Sequence, residues 1–270
     1  MRSDHRQEAY EVWLCDLKGN QLRRLDAERG GQVIDSADPS VGTSATLTVV
    51  LAEGDAIDWD SAMVRVWYRS AGGEWDRPLL TGYPAVSRST VDAESVSVSL
   101  DVYDTTEALR GYYVPRIFGV AAGAALLARA RELIAEAAPL LMVSLPESEE
   151  LLGQDMTWPA GTPWLSIVNA LLQAAGIDTI YSDGWGALRA DPLVPSAEKG
   201  IAWEHKNDVT SLIAPGATRD ADSATAPNRL YVYRSTSDGA PPDIAVITVD
   251  DPRDPLSFEQ RGRWVTEDMR

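Results

Sequence analysis

The chain has 270 residues, enough for two domains or one interrupted by an insertion, and no stretch approaches the roughly 20 apolar residues needed to span a bilayer. Its 41 acidic and 24 basic residues leave a net charge of −17 with the bases scattered among acids, which excludes a surface built to grip nucleic-acid phosphates. A single cysteine excludes an internal disulfide and a cysteine zinc site, and two isolated histidines, His5 and His205, leave little material for metal binding or His-dependent catalysis.

In chain order, residues 1–8 hold no apolar segment behind their basic residues, so no secretory leader and synthesis in a cytoplasm are expected. Residues 10–17 (YEVWLCDL), the turn Lys18-Gly19-Asn20 and residues 21–25 predict an opening hairpin in which Cys15 is a buried small hydrophobe. Residues 44–51 and 63–68 read as strands, with Ala71-Gly72-Gly73 as a turn, followed by strands over 79–86 and 94–103. The last places Val96, Val98, Leu100 and Val102 on one face and serines with Asp101 on the other. Five to seven such strands predict a barrel or sandwich.

Character changes at residues 104–111 (DTTEALRG), a short helical turn opened by capping residues and a boundary near Gly111. A long helix is expected over 120–138, with Leu126, Leu127, Leu133 and Ile134 at helical spacing and Pro139 ending it. After a polar link around Pro146, Glu147, Glu149 and Glu150 comes a second helix over 162–175. Thr162 is its expected N-cap, Pro163 its first position and Gly176 its left-handed stop, and Trp164, Ile167, Val168, Leu171 and Leu172 form its buried stripe. Residues 178–192 read as a small hairpin turning at Asp183-Gly184, so 112–200 is an α+β region of two helices on a little sheet. β character returns from 201, with strands at 228–234, 244–249 and 263–267 and polar loops at 215–227 and 235–243.

Candidate chemistry is sparse. Asp55, Asp58 and Asp60 around Trp59 lack the central glycine and distal Glu of a calcium loop and read as a solvated acidic loop, as does the pair Asp220 and Asp222. Nine tryptophans beside many acids keep glycan hydrolysis open, although Trp59, Trp67, Trp164 and Trp203 sit in apolar contexts that suit core packing. No nucleophile elbow, Walker loop, dinucleotide fingerprint or His-Glu-x-x-His is present, and Gly72-Gly73 and Gly184-Trp-Gly186 read as turns. No catalytic, cofactor-binding or metal-ligating residue is therefore assigned.

Four passages carry a family resemblance: residues 44–49 (SATLTV), 77–82 (RPLLTG) leading into 94–104, 158–164 (WPAGTPW) through Gly176-Ile177, and 255–264 (PLSFEQRGRW). With the order of parts, they resemble the tail hub or baseplate hub proteins of long-tailed bacteriophages, the minor tail proteins of phages of actinobacteria. The acidic, Trp- and Ala-rich composition also looks like that of a phage of a high-GC host. The resemblance implies an α+β, mainly β fold: a first tube-like β-barrel over 1–111, an inserted α+β domain over 112–200 and a second tube-like β region over 201–270. It implies a homo-oligomer, a trimer, whose ring closes or extends the tail tube around an acidic lumen for DNA passage. The implied partners are the distal tail protein, the tape measure protein and other tail-tip proteins, and the implied place is the virion tail tip, assembled in the host cytoplasm. No specific nucleic-acid binding, membrane insertion or enzymatic activity is implied. The family usually continues beyond the position of Arg270, so the second barrel is expected either to be completed by another chain or to be a compact variant. A tail-associated cell-wall hydrolase and a carbohydrate-binding receptor module remain the alternatives.

Overall fold

The computed structural model describes residues 9–36, 42–70, 73, 75–92, 95–195, 198–201, 225–233 and 244–269. By its contacts the chain divides into two compact units, Met1–Lys199 and Gly200–Arg270. The fold is α+β and mainly β.

Unit 1 opens with seven strands: β1 (Ala9–Cys15), β2 (Gln21–Ala27), β3 (Gln32–Asp35), β4 (Thr43–Ala52), β5 (Met63–Arg69), β6 (Arg77–Val91) and β7 (Ser95–Asp104). The β1–β2 turn forms where expected, because the Asp16 carboxylate accepts from the Lys18 and Asn20 amides at 2.9 and 2.8 Å while Gly19 takes a φ of 80°. The strands run in the order β2-β1-β5-β6-β7-β4-β3, and β2 turns back to pair with β4 at Asp26↔Val50 and Ala27↔Val49. That last pairing closes six strands into a barrel. β3 then continues along the same edge of β4 that β2 has begun, after a corner over residues 28–31.

Alternation decides what fills the barrel. Val98, Leu100 and Val102 of β7 point inward to meet Val12, Leu14, Leu25, Ala45, Leu47, Val49, Leu51, Val64, Val66 and Leu80, all under one-tenth exposed. The interior is a packed aliphatic core rather than a channel.

The rest of unit 1 is a helical module: α1 (Glu107–Arg110), β8 (Phe118–Val120), α2 (Leu126–Ala137), β9 (Val143–Ser144), β10 (Met156–Trp158), α3 (Trp164–Ala174), β11 (Tyr181–Ser182) and β12 (Leu188–Arg189). β8 pairs with β10, and a small sheet runs β11-β12-β9. Leu126, Leu127, Ala130, Leu133 and Ile134 of α2 meet Ile167, Val168, Leu171 and Leu172 of α3 in a second, separate core.

Two expectations are corrected here. The long helix starts at Leu126, not at residue 120, because Val120 pairs with Met156 in the β8–β10 ribbon and Gly123, at φ 82°, turns the chain before the helix. Thr162 is not a side-chain cap: its hydroxyl donates back to the Pro159 carbonyl at 2.8 Å, and Pro163 occupies the N-cap position. The cap is unnecessary because the Trp164 amide donates to the Tyr112 carbonyl at 2.8 Å, a partner supplied by a distant segment. Gly176 does stop the helix as expected, at φ 70°, with the Ile177 amide folding back onto the Leu172 carbonyl at 2.9 Å.

In unit 2, β13 (Arg229–Tyr233) lies between antiparallel β14 (Ile244–Thr248) and parallel β15 (Thr266–Met269), with α4 (Phe258–Arg261) placed between β14 and β15 in the chain. Its organising residue is polar. Asn228, 2% exposed, donates to the Leu256 and Arg263 carbonyls and accepts from the Val265 amide. Trp264 stacks on Phe258 at 4.7 Å, with the Arg229 guanidinium 3.7 Å from its ring centre. Among the described residues, no aliphatic side chain of this unit is fully buried.

Candidate assembly surface

The barrel has an outer surface of two characters. On the side of β5 and the first half of β6, beside the β1–β2 turn, the tip of the β11–β12 hairpin presses against the strands. Gly184 is required there, since a Cβ would fall 2.1 Å from the Pro78 carbonyl oxygen. The centre of the contact is Arg65 on β5, only 4% exposed. Its Nε donates to Thr81 Oγ1 at 2.6 Å, and its Nη2 to the carbonyls of Gly19 and Trp185 at 2.9 and 3.1 Å. Its guanidinium also lies 5.0 Å from the Trp185 ring centre, and Thr81 passes its own proton to the Gly184 carbonyl at 2.8 Å. A buried cation is here held by hydroxyl, carbonyls and a ring face, which suits the weakly hydrated, forked guanidinium.

The hairpin tip is shaped in advance to make that contact. The Asp183 carboxylate accepts from the amides of Trp185 and Ala187, both at 2.9 Å, and from Arg189 Nε at 2.7 Å. Beside it, Thr105 Oγ1 donates to Ser182 Oγ at 2.8 Å. Asp104, 2% exposed, ties the start of β4 to α1 by accepting from the Thr43 and Thr106 amides and from the Thr106 hydroxyl.

The other side is the outward face of β6, β7 and β4, with β3 at its margin. Residues paired directly across strands share a face, so the register sets out its rows. One row is Gln32, Thr46, Asp101 and Ala85, the next Thr48, Ser99 and Arg88, and a third Asp26, Val50, Ser97 and Thr90. Thr48 and Ser99 share a hydroxyl contact of 3.4 Å, and Ser97 donates to Glu28 at 3.3 Å. A depression of about 250 Å³ lies over this face, lined by residues 28–31 and by Thr46, Thr48, Ser87, Ser99 and Asp101. Both margins are backbone edges. Among the described residues, 83–91 of β6 pair only with β7, and β3 pairs only with β4.

The residues singled out in the sequence are dispersed. Asp55 pairs with Arg23 at 2.7 Å, and Asp58 caps a single 3₁₀ turn, Trp59–Ser61, by accepting from the Asp60 amide. Cys15 is fully buried, and burial pushes its thiol up. Trp59 packs on the barrel core, Trp164 is buried against Tyr112 and Phe118, and Trp67 meets Trp185 edge to face at 5.2 Å. Exposed tryptophans do occur, at Trp75, Trp185 and Trp264, but Trp185 already receives Arg65 and Trp264 already receives Arg229 and Phe258. His5, His205, Trp203, Asp220 and Asp222 lie outside the described residues. Among the described residues no cluster of His, Cys, Asp or Glu is arranged to hold a metal ion, and no helix is long and apolar enough to cross a membrane. Sequence reasoning missed Arg65, for which a strand reading MVRVWY gives no sign that its outward arginine is covered.

No family model and no curated protein matches the chain. Solved structures do. A tail protein from Neisseria meningitidis MC58 aligns with a TM-score of 0.57 and 17% identity over 90% of this chain and 68% of that one. The 43 kDa tail protein of prophage MuSo2 from Shewanella oneidensis aligns with a TM-score of 0.54 and 15% identity over 96% of this chain and 72% of its own. The chain shares its fold with tail proteins.

Proposed function

We propose that this chain is a structural, non-enzymatic component of a bacteriophage tail tip, of the tail hub or baseplate hub kind, in which copies form a ring that closes or extends the tail tube around an acidic lumen. The observation that carries the reading is the fold shared with two tail proteins along 90% and 96% of the chain. The barrel supports it physically. A four-stranded sheet, β6-β7-β4-β3, whose backbone edge at each margin is unpaired among the described residues can accept a neighbour on either side, and a contact between two different edges repeats head to tail until a ring closes. The ring is a homotrimer, built within the host cytoplasm and carried in the virion, with the distal tail protein, the tape measure protein and other tail-tip proteins as neighbours. The domain division is a first barrel over 1–111, a module over 112–200 and a second β region over 201–270. The charge of −17 fits a wall that must pass DNA without holding it.

Light scattering on the purified protein and mass spectrometry on purified particles test the reading together. A closed oligomer and peptides of this chain in the tail fraction are expected. A strict monomer absent from particles would sink it.

A further inference from the structure

We infer that the corner where β2 gives way to β3 opens the barrel into a binding site for a linear alkyl carboxylate, a fatty acid. The site stands apart from the ring reading and does not depend on it. Closure of the barrel rests on two residue pairs, Asp26↔Val50 and Ala27↔Val49. β2 ends there, and β4 regains a strand partner on that edge only at Gln32↔Thr46. Between the two the chain turns at Arg29-Gly30, with Gly30 at φ 107°, and a Cβ on Gly31 would meet the Thr46 carbonyl oxygen at 3.1 Å. The two glycines therefore hold the corner in a shape that larger residues would disturb.

A cavity of about 720 Å³ adjoins this corner. That size lies within the roughly 300–1,000 Å³ of small-molecule sites, and the mouth of a β-barrel is a place where such sites occur. Its apolar wall is made by Val12, Leu47 and Val66, which are buried, and by Val33 and Leu79, which are half-buried. The cavity therefore continues the aliphatic interior of the barrel.

The rim supplies a single positive charge. Among the described residues Arg29 is the one cation of the lining, and it is exposed and makes no hydrogen bond or ion pair. Glu28, the acid beside it, is already engaged on the outer face, where it accepts from Ser97 Oγ at 3.3 Å. The Gly30 and Gly31 amides also have no acceptor among the described residues. A forked guanidinium beside free backbone amides is complementary to a carboxylate. A peptide ending in a carboxylate fits less well, because each of its residues adds an N–H and a C=O that an aliphatic wall leaves unpaired. An alkyl chain adds neither.

Calorimetric titration of the full chain with sodium dodecanoate, kept below its micelle-forming concentration, tests the site. Saturable binding is expected, more than tenfold tighter than that of octanoate, since each buried methylene is worth about fourfold in affinity. Dodecanol and dodecylammonium should bind more weakly. Arg29→Gln should weaken dodecanoate about tenfold and leave dodecanol unchanged, because only the carboxylate uses the charge. Ala27→Phe enlarges a residue of the lining and should abolish binding of both. The assignment is overturned by absence of saturable binding, by dodecylammonium binding as well as dodecanoate, by trileucine binding more tightly than dodecanoate, or by binding that survives Ala27→Phe. Should Ala27→Phe fail to fold, hydrogen exchange on the wild-type chain decides. Dodecanoate should slow exchange of the amides at 27–33 and leave those of α2 and α3 unchanged, and any other pattern overturns the site.

Discussion

Arg65 shows how much a single side chain can organise. In a chain with 41 acids its charge faces no carboxylate of the described residues within hydrogen-bonding reach, and its binding is instead spread over Thr81, Gly19 and Trp185. Lysine keeps the charge but cannot fork to three acceptors, and alanine leaves the buried Thr81 hydroxyl and the part-buried carbonyls of Gly19 and Trp185 without their donor, which costs free energy. Arg65→Ala should therefore lower unfolding free energy by about 2–4 kcal/mol in urea titration, and Arg65→Lys should recover less than half of that loss. Glu11 is the contrasting case near the surface. Burial alone would raise its pKa, but hydrogen bonds from Trp13 and Arg69, with the charges of Arg69 and Arg24, outweigh it and hold the carboxyl below 4.5. A carboxyl lowered on folding stabilises above its unfolded value and loses that contribution as pH falls through its folded value. Glu11→Gln should then cost about 0.5–1 kcal/mol at neutral pH, with the difference from wild type vanishing in acid below 4.5. A constant gap across that range would show that the carboxylate charge is irrelevant.

At the scale of elements, the structure depends on two kinds of information, and only one is local. The β7 alternation, the β1–β2 turn and the stripe of α3 were legible because a period of two, an Asp beside a Gly and a period near 3.6 are written in neighbouring residues. α2 and α3 lost their expected starts because β8 and the Tyr112 carbonyl, supplied from elsewhere, took over those backbone groups. The candidate surface divides the same way. Serines opposite valines in β7 announced a polar face, whereas the closing of the barrel through β2 and β4 and the covering of Arg65 depend on pairings 24 and 120 residues apart. Two substitutions separate local packing from long-range fit. Leu171→Ala empties a fully buried site between α2 and α3 and should cost about 2–5 kcal/mol by calorimetry. Gly184→Ala alters only a turn residue, yet it drives a methyl group against the Pro78 backbone and should cost about 1–3 kcal/mol while exposing the hairpin tip to faster hydrogen exchange. If Gly184→Ala proved neutral, the hairpin would not be held against the barrel as described.

For the whole molecule, the distribution of buried aliphatic side chains matters more than the division into units. Both hydrophobic cores among the described residues lie in unit 1, one inside the barrel and one between α2 and α3. Unit 2 has the Asn228 hydrogen-bond centre and the Arg229–Trp264–Phe258 stack, while Ile244, Val246 and Ile247 of its edge strand are each more than half exposed. An apolar edge strand with no proline, charge or bulge of its own is poorly protected as a free surface and well suited to pairing with another chain. Two outcomes follow from that asymmetry. Residues 1–199 expressed alone should unfold cooperatively at nearly the melting temperature of the full chain, because burial of apolar area dominates the stability and, among the described residues, no fully buried aliphatic side chain is removed. In the full chain, amides of β14 should exchange rapidly in dilute monomer and become protected when the protein is assembled, since their protection would come from a neighbouring strand. Hydrogen exchange followed by mass spectrometry distinguishes the cases: slow exchange at β14 in the monomer would mean that unit 2 is stable by itself, and the asymmetry would then have no bearing on assembly.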